Sequence, residues 1–104
     1  MKKNIEKLVI DRITKNEKRL DSTLDSIKKL EEVLEVFKKS KNNIRLLNNY
    51  YGSKNWFKDK ELFENGSIPR VKAGVLSEDT VWNMNDDIKE LLNNMKKIID
   101  DYNK

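Results

Sequence analysis

The side chains best able to do chemistry are notable first for those that are missing. The chain has no histidine and no cysteine, which removes the commonest general base near neutral pH, the thiolate nucleophile and the usual zinc ligands. Carboxylates remain, but their spacing is unhelpful. Asp86-Asp87 and Asp100-Asp101 are adjacent pairs, which diverge on a helix, and Glu31 and Glu35 share a face as solvated charges commonly do. The helical di-iron arrangement needs Glu-x-x-His, and the sequence contains neither a phosphate-binding glycine loop nor a nucleophile elbow. These residues predict a protein that is not an enzyme, with no catalytic residue, no cofactor and no metal. One cluster has the makings of a site: Tyr50, Tyr51, Trp56, Phe57 and Trp82, with Asp59, Arg70 and Asp79 close in sequence. Rings with a few polar groups can line a pocket for a small molecule or peptide. The preferred reading is structural, with the rings packing a corner and the polar groups fixing its turns.

The elements that must position this cluster follow from the residue pattern. Residues 50–82 contain all three Gly, the only Pro and both Trp, and they separate two long helical patterns. Before Gly52 there is no Gly or Pro. Apolar residues recur at Ile5, Leu8, Val9, Ile13, Leu20, Leu24, Ile27, Leu30, Leu34, Phe37, Ile44 and Leu47, an amphipathic helical spacing. This predicts a first helix over 3–50, with a possible break near 14–20, where Thr14 and Glu17 match a capping box. In the connector, 51–76, Gly52 is placed to end that helix in a left-handed conformation and Ser53 to cap a short helix through Trp56 and Phe63. Asn65-Gly66 marks a turn, and Pro69 bars helix continuation.

A second long helix is expected over 77–103. Ser77 is its N-cap candidate, and Leu76 and Val81 are spaced as a hydrophobic staple. Val81, Met84, Ile88, Leu91, Met95, Ile98 and Tyr102 alternate steps of three and four, which reads as a core stripe. The fold expected is all-α and a single domain, residues 1–104: a long antiparallel helical hairpin or three-helix bundle closed by a short, aromatic-rich helical connector. Charge gives a register for the hairpin. Residues 38–49 carry four basic groups and no acid, and residues 77–90 carry five acids against one Lys.

The pattern Tyr50-Tyr51-Gly52-Ser53, Trp56, Asp59, then Ile68-Pro69, then Gly74-Val75-Leu76-Ser77-Glu78-Asp79 and Val81 resembles a small family of uncharacterised bacterial proteins. That family is a domain of unknown function expected to be helical. The family pattern places a basic pair before the Gly, where this chain has Lys72-Ala73. The resemblance implies no activity, substrate or cofactor.

Composition narrows the partners. Charged residues make up 38% and the net charge is +4, with acids interrupting most basic runs. Nucleic acid is therefore an unfavoured partner, although binding through the basic first helix is the alternative function to carry. No stretch reaches the ~20 apolar residues of a membrane span, and the N-terminus lacks the apolar run of a signal peptide. A cytoplasmic location without membrane association is expected.

The leading function is a non-catalytic helical module that self-associates or binds another protein. A small inhibitor of a host enzyme, carried by a mobile element, is a third reading. The last helix, folded back from Gly52, reaches only about 38 Å at ~1.5 Å per residue, which leaves the stripe of Ile5, Leu8, Val9, Ile13 and Leu20 as the expected partner surface. An offset antiparallel homodimer is favoured, because it sets the basic N-terminal third against the acidic band at 21–37.

Overall fold

A computed structural model describes residues 2–104, and among them every regular element is helical. The order is α1 (Lys2–Lys39), α2 (Lys41–Tyr50), α3 (Lys54–Glu64), a 3-10 turn at Gly74–Leu76, and α4 (Thr80–Tyr102). The expectation of an all-α protein holds. The chain divides into two compact units, residues 1–41 and 42–104.

The first unit is essentially one helix. α1 runs through 14–20 without interruption, so Thr14 and Glu17 are helix-surface residues and no capping box forms there. The helix stops instead at Ser40. Its N–H bonds the Phe37 carbonyl at 3.0 Å and its hydroxyl bonds the Val36 carbonyl at 3.2 Å. The side chain thus takes over the i−4 acceptor, the competition by which serine disturbs helices. This signal is invisible to a search for Gly and Pro.

The second unit starts with the amphipathic α2. Tyr51 N–H closes back on Leu47 O at 2.9 Å, and Gly52 follows at φ +77°. Ser53 then caps α3, its hydroxyl accepting from Trp56 N–H at 3.2 Å. α3 ends in a Schellman motif. Gly66 N–H bonds Phe63 O at 3.3 Å, Ser67 N–H bonds Leu62 O at 3.0 Å, and Gly66 sits at φ +77°. That geometry is the reason for a Gly at the left-handed position beyond the helix end.

The start of α4 differs from the expectation. Asp79 is the N-cap residue, without a side-chain cap bond, and the helix begins at Thr80. The Ser77 hydroxyl accepts instead from Asp79 N–H at 3.3 Å in a local turn, while Ser77 N–H closes the 3-10 turn on Gly74 O at 3.1 Å. The core of this unit is small: Trp56, Leu76 and Val81 are its buried apolar residues. The 3-10 turn lies against both α3 and α4, so Leu76 and Val81 close the ends of one connection.

The stripe on α4 is a core stripe only at its start. Val81 is buried and Met84, Ile88 and Met95 are half-buried, whereas Leu91, Ile98 and Tyr102 are exposed. Length explains this within the unit. The ten residues of α2 and eleven of α3 span ~15–17 Å each, against ~35 Å for the 23 residues of α4.

Nor does charge set the contact between α2 and α4. Asn48 and Asn85 exchange two amide hydrogen bonds, at 3.1 and 2.8 Å. Arg45 turns to Asn42 at 2.7 Å, and among the described residues it makes no ion pair with α4. Each exposed pair offers only about 0.2–1 kcal/mol, too little to outweigh a reciprocal amide pair.

Candidate association surface and aromatic corner

Trp56 is the centre of the aromatic corner. α3 carries it one turn past the Ser53 cap, and it is 4% exposed. Its indole N–H donates to Val75 O at 2.9 Å, tying α3 to the segment before α4. Tyr51 meets it edge to face at a centroid distance of 5.2 Å, and Phe57 does so at 4.9 Å. The Lys60 ammonium lies 5.1 Å from the same ring and pairs with Glu78 at 3.1 Å.

The two tyrosine hydroxyls are also used. Tyr51 O–H donates to the Glu78 carbonyl. Tyr50 O–H donates to Asp59 Oδ2 at 2.6 Å. That bond, helped by burial and by the carboxylate's charge, pushes the Tyr50 phenol up to about 12. A carboxylate accepting from a phenol stabilises the neutral phenol and resists its ionisation.

The structure therefore assembles part of the predicted cluster. It does so as two local pairings, Tyr50 with Asp59 and Tyr51 with Trp56, and Phe57 touches Trp56 while the Phe57 residue stays 62% exposed. Three members lie elsewhere. Arg70 stacks on Phe63 at 5.7 Å, Asp79 occupies the N-cap position of α4 without a side-chain cap bond, and Trp82 is 60% exposed. Trp82 was expected inside the corner. It follows Val81, which is 2% exposed, and neighbours on a helix differ by about 100° in direction, so burying one turns the other outward. Lys60 and Val75 are contributors that sequence reasoning missed. A Lys at i+4 from a Trp on one helix was a readable signal for the first, but a backbone carbonyl such as that of Val75 leaves no trace in residue types.

A groove beside the corner is lined by Lys60, Phe63, Leu76 and Glu78 and opens to solvent. Its lining also includes Glu64, Ser77 and Asp79; there Lys60 pairs with Glu78 at 3.1 Å and the Ser77 hydroxyl accepts from Asp79 N–H at 3.3 Å. Among the described residues no group of three or more carboxylates converges to hold a metal ion, and no helix is long and apolar enough to cross a membrane.

α1 presents a different kind of surface. None of its described residues is buried, and its large aliphatic side chains are 40–68% exposed, with Val9 and Phe37 half-buried. Of the predicted partner surface, Ile5, Leu8, Ile13 and Leu20 are exposed on this helix and Val9 is half-buried. From Ile13 onward the positions 13, 16, 20, 23, 27, 30, 34 and 37 form one unbroken seam, with Asn16 and Thr23 its only polar members. Both are bonded to the helix itself. Asn16 donates to Arg12 O at 2.9 Å and accepts from Arg19 at 3.0 Å, and Thr23 donates to Arg19 O at 2.7 Å.

A long amphipathic helix and a small helical unit closed around one tryptophan define an all-α protein whose ordered polar groups hold its own turns. The chain belongs to the family described as "Domain of unknown function (DUF4298)", which it matches over residues 13–98. No curated protein and no solved structure matches it.

Proposed function

We propose that this protein is a non-catalytic helical association module whose contact surface is α1. One observation carries the reading: a 38-residue helix bearing an apolar seam has no buried residue. Isolated helices gain little stability from their own hydrogen bonds and depend on packing of the apolar face, and an exposed apolar patch of this extent is a binding surface. The aromatic corner supports the same reading. Its indole and phenol groups are bonded within the chain, which leaves it a structural role. The sequence has no histidine, the commonest general base near neutral pH, and no cysteine to supply a thiolate nucleophile.

Light scattering on the intact chain and on a version beginning at residue 21 tests the proposal, combined with amide exchange across α1. Association that weakens when residues 1–20 are removed supports it. A monomer with α1 protected from exchange refutes it, because the seam would then be satisfied within one chain. A salt titration with a nucleic-acid probe is the control, since phosphate contacts give a steep loss of affinity with salt.

A further inference from the structure

Resting on that reading, we infer that the partner of α1 is a second copy of α1, paired in parallel and in register along the seam from Val9 to Phe37. In heptad terms Ile13, Leu20, Ile27 and Leu34 occupy a, and Val9, Asn16, Thr23, Leu30 and Phe37 occupy d. The orientation follows from what this register brings together. Parallel pairing sets like against like, so Asn16 meets Asn16 and Thr23 meets Thr23. Antiparallel pairing layers a against d, and with Val9 opposite Leu34 it sets Asn16 against Ile27 and Thr23 against Leu20, burying amide and hydroxyl on hydrocarbon.

The hydrogen bonds within α1 suit the parallel arrangement. Thr23 has already donated its hydroxyl proton to Arg19 O. Asn16 has used one N–H on Arg12 O and one lone pair on Arg19, which leaves the second N–H and a second lone pair for an identical amide across the seam. A polar residue at one core position is a known device for fixing register at some cost in stability.

The flanks agree. In a parallel pair each g residue faces the following e residue of the other chain. Arg12 then faces Glu17 on both sides, Ile5 faces Ile10, and no g–e' pair carries like charges. Among the described residues neither Arg12 nor Glu17 is engaged in an ion pair. In the antiparallel arrangement Arg12 falls beside Val33, and Glu17 beside Leu24. The coarser contrast between a basic N-terminal and an acidic central band favours antiparallel pairing. Those charges lie mostly away from the seam, where salt screens them within ~10 Å, so the seam and its flanks decide.

Two experiments on the full chain test the inference. The absence of native cysteine allows single spin labels at Asn4→Cys and at Lys18→Cys, both on the outer face. Parallel, in-register pairing predicts the same short intermolecular distance at the two sites. Antiparallel pairing predicts a short distance at 18 and one of about 50 Å at 4, from ~1.5 Å per residue; that result overturns the inference and leaves the association reading intact. A monomer without dipolar coupling also overturns it, and only if its α1 is protected from exchange does the association reading fall as well. As an independent check, Arg12→Glu is expected to weaken dimerisation by about tenfold, from two pairs turned repulsive, and adding Glu17→Arg to restore it. Absence of rescue contradicts the parallel register.

Discussion

Replacing Trp56 by Ala is the sharpest test of the second unit. The indole is 4% exposed, donates to Val75 O, and contacts Tyr51, Phe57 and Lys60. Truncating a buried Trp to Ala costs ~3–5 kcal/mol. The unit holds 63 residues, 42–104, and small domains are stable by ~0.05–0.15 kcal/mol per residue, or about 3–9 kcal/mol in all. The substitution should therefore remove most of that stability. Trp82→Ala is the internal control: its ring is 60% exposed, and the expected cost is within about 1 kcal/mol. Urea denaturation followed by near-ultraviolet circular dichroism separates the two, because that signal reports the packed aromatic rings, whereas the 38 residues of α1 also contribute to the far-ultraviolet signal. Equal losses at both positions, or a loss under about 1 kcal/mol for Trp56→Ala, would refute the corner as described.

Two further outcomes can be read from single changes. The Tyr50 phenol, raised from its ordinary value of 10 to about 12 by Asp59, should give an ultraviolet titration step above the ordinary tyrosine range, and Asp59→Asn should bring it down. A raised folded-state pKa contributes stability that is complete below pH 10 and lost as pH climbs through 12, so Tyr50→Phe should flatten the alkaline limb of the unfolding profile. Gly66→Ala places a side chain at φ +77° with nothing within 4 Å to clash; the cost should be the left-handed backbone term alone, roughly 1–2 kcal/mol in thermal denaturation.

Much of the fold was legible because helices and their ends obey local rules. The long seam, the Ser53 cap, the Gly52 stop and the Asn65-Gly66 turn each depend on residues within a few positions of one another, and each is present. Failures came where a longer-range choice decided between local options. Ser77 had the right type for a cap, but its hydroxyl serves a local turn at Asp79 N–H and α4 starts at Thr80. Ser40 ends α1 by taking a backbone carbonyl, which a serine mid-helix often does not do. Trp82 looked like a corner residue from composition, yet the burial of Val81 fixed the helix rotation and turned it outward. In the candidate site Tyr50, Tyr51, Trp56 and Asp59 were recognisable, whereas the carbonyls of Val75 and Glu78 that hold two of the rings were not.

The most direct measurement of the central claim is the mass of the intact chain in solution by light scattering, with and without Ile27→Asp. Ile27 lies near the middle of the α1 seam and is exposed on the single chain. If α1 is an association surface, the intact chain is larger than a monomer and the substitution returns it to monomer without changing the folding of residues 42–104. An intact chain that is monomeric, with α1 protected and destabilised by Ile27→Asp, would contradict it.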